Sequence, residues 1–163
     1  MGTRSARTGR PALLVSACLL GLRTRFDGGY RRREAVIALA ERFVLVPVCP
    51  EQLGGLSTPR APAEIQQSES VQRGSPVVRS VDGEDLSVHF RRGAEEVLAI
   101  ARLVGAAGAV LKARSPSCGI GETYDGTFTN TLRPGSGVTA QVLQAAGLDV
   151  YTEEDVAAGS GPA

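Results

Sequence analysis

The stretch AVLKARSPSCGIG, residues 109–121, joins two kinds of sequence back to back. AVLKA (109–113) is mostly apolar, as a buried strand would be. The rest, with Ser115, Pro116, Ser117, Gly119 and Gly121 around Cys118, has the composition of a loop. A cysteine therefore stands just past the C-terminal end of a strand, six residues after Lys112, the chain's only lysine. Upstream, HFRRGAEEVLAIARLVGAAG (89–108) sets Phe90, Ala94, Val97, Leu98 and Ala101 on one stripe. The strand is thus entered from a long helix that Gly105 and Gly108 stop. Downstream, Ser136 is placed to cap a helix over GVTAQVLQAAG (137–147), with Gly147 past its end. LDVYT (148–152) reads as a further strand.

The same alternation appears toward the N-terminus. ALLVSA (12–17) is a short strand of the buried type and runs into Cys18. The turn LRTRFDGGY follows, broken at Asp27, Gly28 and Gly29. REAVIALAERF (33–43) places Val36, Leu39, Ala40 and Phe43 on one helical face. FVLVPV (43–48) is a strand that ends at Cys49. Pro47 has no N–H to donate, so this strand belongs at a sheet edge. Residues 50–86 show no helical period and are rich in Gly and Pro. VVRSVDGEDL (77–86) reads as a small hairpin or an extended excursion, and a segment of this length without regular structure points to a functional loop. The pattern predicts the α/β class: a single-domain, Rossmann-like three-layer sandwich. Its mainly parallel four-stranded sheet has the order 2-1-3-4 with right-handed crossovers, plus a long loop or small hairpin excursion. The domain is expected over 11–153, with flexible tails at 1–10 and 154–163.

A chain of 163 residues buries roughly 68–70% of its unfolded surface, so no disulfide staple is needed. The formal net charge of +1 supplies no overall field toward nucleic acid or membrane. No apolar run approaches the roughly 20 residues of a membrane span. PALLVSACLLGL lacks the small-residue cleavage pattern of a signal peptide. Ala6 stands where a myristoylation signal requires Ser or Thr. A cytoplasmic location is expected, and there three cysteines point to metal binding or catalysis rather than to disulfides.

Cys18, Cys49 and Cys118 each follow a strand, and in a parallel sheet those strand ends share one rim. Ligands of open α/β sheets bind at that rim, where the strand order reverses. A single cysteine is more often a small buried hydrophobe than a functional group, but three at three strand ends are expected to converge. Two centres suit three thiolates. One is a zinc site completed by His89, the only histidine. His89 opens the long helix, though, and helices of this topology begin at the opposite rim. It is expected to be an ordinary surface or capping residue. The other is a [4Fe–4S] cluster with one iron open to substrate or to an extra sulfide. Such soft centres favour sulfur-containing substrates.

VSACLLG, RFDGG, VPVCPEQLGGLSTPR, KARSPSCG, YDGTF and GVTAQVL, in this order over about residues 12–153, resemble the thiouracil desulfidase family. QLGGLSTPR departs from the family's pattern along Gln52–Ser57. The resemblance implies an oxygen-sensitive [4Fe–4S] cluster on Cys18, Cys49 and Cys118. It implies non-redox removal of sulfur from thiolated pyrimidines such as thiouracil, giving uracil and hydrosulfide. It also implies Glu51 as the proton-handling residue and Ser117 as a substrate-side or proton-relay group. Five further residues are candidates beside these. Asp27 is a second acid near the first ligand's loop, although Asp before Gly-Gly is commonly a turn former. Ser115 can donate to a substrate carbonyl, although Ser beside Pro is ordinary turn chemistry. Lys112 leaves the strand at the correct rim, where it would pair with an acid such as Glu51 or snorkel to solvent. Arg60 would bind an anionic group of the substrate. Gly119 would keep bulk away from the shared cavity.

Three rivals stand beside this reading: a Cys₃His zinc protein of structural or regulatory role, an enzyme with one cysteine as covalent nucleophile, and an iron–sulfur sulfur-relay protein in RNA thiolation. The expected partners are a small thiolated pyrimidine and the cluster-assembly machinery, with no membrane. Thiolated tRNA remains an open alternative substrate.

Overall fold

The computed structural model describes residues 9–66 and 76–163. The elements follow in chain order. β1 (Ala12–Ser16) leads through a 3-10 turn to α1 (Glu34–Ile37) and β2 (Val44–Val48). α2 (Pro50–Leu53), β3 (Ala63–Ile65) and β4 (Val78–Ser80) precede the long helix α3 (Ser87–Val104). Then come β5 (Gly108–Leu111), β6 (Glu122–Tyr124), β7 (Leu132–Pro134), α4 (Val138–Ala145), β8 (Val150–Thr152) and α5 (Glu153–Ala157).

β1, β2, β5 and β8 form one sheet in the order β2–β1–β5–β8, every pair parallel. Pro47 accordingly lies in an edge strand. The two central strands are buried on both faces, which explains their continuous apolar runs. On one face Leu14, Ala109 and Leu111 pack against Val97 and Ala101 of α3 and Ala140 and Leu143 of α4. On the other, Leu13, Val15 and Val110 meet Leu19, Val36, Leu39 and Phe43. Helical layers thus cover both faces of the sheet. The antiparallel hairpin β3–β4 sits to one side, where Ile65 and Val78 pack on Phe90 and Ala94 of α3. No helix among the described residues is long and apolar enough to cross a membrane.

Five local expectations are corrected. The helix expected over 33–43 is one α turn, α1, followed by a 3-10 turn, Ala38–Glu41. The chain must enter β2 at Val44, and Phe43 N already donates back to Leu39 O. Residues 50–53, read as irregular, form α2; one turn is too short to display a 3.6-residue period. The stretch 114–135, between the third predicted strand and the helix over 137–147 and expected as a loop throughout, contains the hairpin β6–β7, whose three-residue strands are equally short to read. Ser136 does not cap α4: its Oγ accepts from Gly121 N. Gly137 is the N-cap without a side-chain bond, and the first N–H groups of α4 donate to Pro116 O and Ser117 O. Finally, the tail expected from 154 is partly ordered. Thr152 and Asp155 form a reciprocal capping box that starts α5, and Arg42 Nη2 donates to Pro162 O. Of the other tail, residues 1–8 lie outside the described residues.

Candidate metal centre

Each cysteine is placed by a local device at the C-terminal rim of the sheet. Cys18 lies in the 3-10 turn Ala17–Leu20 directly after β1, and Gly21 ends that turn at φ 93°. The backbone N–H groups of Gly21 and Arg31 both donate to Cys18 O. Cys49 is the N-cap residue of α2, and Pro50 sits at the first helical position, where its missing N–H costs nothing. Cys118 lies in a turn closed by Ser115, whose Oγ accepts from Ser117 N and Cys118 N at 3.1 Å each. Gly119 is required by this loop itself. A Cβ there would stand 2.8 Å from Ser115 O, so its role is the turn rather than an open cavity.

The three thiols line one cavity of about 420 Å³, and none is in a disulfide. Their electrostatics register their proximity. Burial pushes the Cys18 thiol up to about 11; the Cys49 charge adds to the shift, and Lys112 and Arg25 oppose it. Burial also raises Cys118, while the Ser16 hydroxyl at 3.5 Å lowers it and both other cysteines raise it. Burial thus favours the protonated form of Cys18 and Cys118, and a cationic centre would displace their protons on binding. Among the described residues no three His, Cys, Asp or Glu side chains form a ready single-ion site. The three thiols border one shared cavity rather than a preformed single-ion site.

Glu51, the second residue of α2, lines the same cavity. Arg60 Nε meets its Oε2 at 2.5 Å, with both side chains largely buried. The remaining Arg60 donors go to Thr24 O, Ser57 O and Thr58 Oγ1. Arg60 lines the cavity, and these donors engage Glu51 and the neighbouring loop, where a free anion-binding group was expected. Lys112 also pairs elsewhere than expected: its Nζ lies 2.6 Å from Glu153 Oε1, and Glu153 Oε2 takes Ala113 N at 2.7 Å. Ser117 is 1% exposed, borders the cavity, and its Oγ has no partner among the described residues. Ser115 borders it too, with its oxygen committed to the turn.

Asp27 is not brought to the cavity. It is exposed, accepts from Gly29 N at 2.9 Å and pairs loosely with Arg25 at 3.4 Å. The Gly29 N–H holds its carboxyl below the usual range. It is a turn former that steadies Arg25, which does line the cavity. His89 is also absent from the cavity; its Nδ1 lies 2.8 Å from Gly54 O, where α2 crosses α3. Sequence reasoning missed Ser16, whose Oγ links Lys112 N to Cys118 Sγ; its place beside Ala17-Cys18 was the available signal. It also missed Tyr124, which opens the quoted motif YDGTF, and Glu64 and Asn130, for which no local signal exists; all three are in the cavity wall.

The donor set fits an iron–sulfur cluster. Three soft thiols surround one space, no histidine joins them, and a buried hydroxyl beside Cys118 awaits a partner. Comparisons with known proteins agree. A family model described as 2-thiouracil desulfurase matches residues 13–155. The uncharacterized protein YbbK of Bacillus subtilis (strain 168) is 41% identical over 146 residues, 88% of this chain and 97% of that protein. The solved structure of the [4Fe-4S]-dependent thiouracil desulfidase TudS (DUF523Vcz) superposes with a TM-score of 0.80 at 36% identity, over 91% of this chain and 95% of that one.

Proposed function

Since the chain belongs to the 2-thiouracil desulfurase family, we propose that it removes sulfur from thiolated pyrimidines such as thiouracil by non-redox C–S cleavage, yielding uracil and hydrosulfide. Cys18, Cys49 and Cys118 would hold a [4Fe–4S] cluster, leaving one iron without a protein ligand. The observation that carries this reading is the shared cavity: three thiols from three strand ends, with Glu51 and an unpartnered Ser117 beside them. When bound, such a cluster supplies Lewis-acid polarisation of a thiocarbonyl.

The chain's own residues do the rest. Arg60 ties down one carboxylate oxygen of Glu51, and Oε1 is left to take a proton from a water attacking the thiocarbonyl carbon. α2 fixes Glu51 two residues past Cys49, so the base and a cluster ligand move together. Ser117 Oγ holds a proton at the pocket wall, next to Cys118, for delivery to the departing sulfur. Lys112, locked to Glu153, keeps a positive charge close to Cys18, where it favours the thiolate. The cluster itself would come from the cell's assembly machinery.

The test is anaerobic reconstitution with iron and sulfide, followed by incubation with 2-thiouracil. Brown protein containing iron and acid-labile sulfide, with hydrosulfide released in step with uracil, is the expected result. Colourless protein that retains zinc and releases no sulfide would overturn the reading.

A further inference from the structure

Resting on that reading, we propose that Asn130 is a specificity-determining residue, and that Glu64 is the positioning residue that fixes its loop. Asn130 would read the N3–H and adjacent carbonyl oxygen of the pyrimidine. Neither residue was a candidate from sequence, and both line the cavity. Glu64 lies on β3 and is 8% exposed. Its Oε2 accepts from Gly126 N at 2.9 Å and from Phe128 N at 3.0 Å. A buried carboxylate thus clamps the loop between β6 and β7 from more than sixty residues away. The loop is braced internally as well. Asp125 accepts from Thr127, and the Thr127, Thr129 and Thr131 hydroxyls form a ladder. Gly126 has no room for a side chain, since a Cβ would stand 2.9 Å from Ile65 O. Phe128 and Asn130 are both left-handed, at φ 58° and 60°, a region in which Asn is tolerated far better than most residues.

Two residues past this clamp, Asn130 is exposed at the cavity wall, and its carboxamide makes no hydrogen bond among the described residues. Of the charged side chains in the cavity wall, Arg60 pairs with Glu51, Lys112 with Glu153, and Arg114 with Glu122 and Glu154, while Arg25 pairs loosely with Asp27 and Arg31 makes no ion pair among the described residues. A carboxamide carries an acceptor and a donor side by side. A thiouracil ring presents a donor, N3–H, beside a carbonyl acceptor, and the two edges match as two parallel hydrogen bonds. Tyr124, at the end of β6 where the same loop begins, also lines the cavity.

The test uses the cluster-loaded protein under argon. Uracil, which has the same edge and does not react, is titrated calorimetrically, and the KM and kcat for 2-thiouracil are measured in parallel. Asn130→Ala is expected to weaken uracil binding about tenfold and to raise KM in proportion, with kcat held. 3-Methyluracil, lacking the N3–H, should bind the parent as weakly as uracil binds Asn130→Ala, and should not distinguish the two proteins. Glu64→Ala should match Asn130→Ala, Glu64→Gln should restore most of the affinity through its retained acceptor oxygen, and the double variant should be no weaker than either single one. Unchanged uracil affinity in Asn130→Ala overturns the proposal for Asn130. Additive losses, or failure of the Gln rescue, overturn it for Glu64. If the parent releases no sulfide from thiouracil, the desulfidase reading falls, and the uracil titration alone still decides for or against Asn130.

Discussion

Gly137 shows how closely single residues set the metal site. A Cβ at this position would come within 2.7 Å of Cys118 N and closer still to the Ser117 carbonyl. The cysteine loop lies directly on the N-terminus of α4, and Gly137 is what lets it. Gly137→Ala is therefore expected to push Cys118 off its station at a cost of about 1–3 kcal/mol. Iron bound after reconstitution should drop several-fold while far-UV circular dichroism is kept. Glu51→Gln probes the other half of the site. It should bind iron as the parent does but release sulfide about 10²–10⁴-fold more slowly. Equal iron loss in both variants would mean that Glu51 supports the site rather than the chemistry. At this scale the cysteines, Glu51 and Ser117 were legible because each stands in a short motif. Lys112 and Arg60 were legible as rim residues, but their carboxylate partners were not.

Among the elements, the crossing of α2 on α3 carries the most weight for function. Gly93 of α3 approaches Pro50 so closely that a Cβ would stand 2.7 Å from its carbonyl carbon, and one on Gly54 would stand 2.9 Å from His89 C. These two glycines allow backbone-to-backbone contact, and α2 is capped by Cys49 and carries Glu51 on its first turn. Gly93→Ala should lower the melting temperature, by about 1–3 kcal/mol of stability, and reduce activity with it. α3 itself starts on an acid: Asp85 Oδ1 accepts from Ser87 N and Ser87 Oγ. The Ser87 hydroxyl, with its backbone N–H, holds the Asp85 carboxyl below its usual range. A lowered carboxyl stabilises the fold above its unfolded pKa and loses that contribution as pH falls through its folded one. Asp85→Asn should therefore melt below the parent at pH 7, with the gap closing as pH drops under about 4. The long helix was readable because eighteen residues display a full apolar stripe. α2 and the β6–β7 hairpin were not, because three or four residues are too few for any period to appear.

Over the whole molecule, the hydrophobic core and the metal site are built from nearly separate parts. Two apolar clusters flank the sheet, and the cysteines stand at its rim, touching those clusters only at Cys18 and Cys118. Loss of the cluster in air is thus expected to abolish sulfide release and leave helix and strand content unchanged by circular dichroism. This contrasts with small zinc domains that unfold without metal. Leu14→Ala, by comparison, empties a fully buried site under α3 and α4 and should cost about 2–5 kcal/mol without altering the cysteine set. The amino-acid sequence by itself determined the alternation of strands and helices, the edge position demanded by Pro47, and the arrival of three cysteines at three strand ends. Those features are local, and local periodicity and backbone chemistry encode them. Only the tertiary structure decided that Glu51 belongs to Arg60, that Lys112 belongs to Glu153, that Asp27 stays outside, and that Glu64 and Asn130 come in. Such pairings depend on the paths that loops take across the rim, and a charged side chain takes whichever partner is near in space, however far away in sequence.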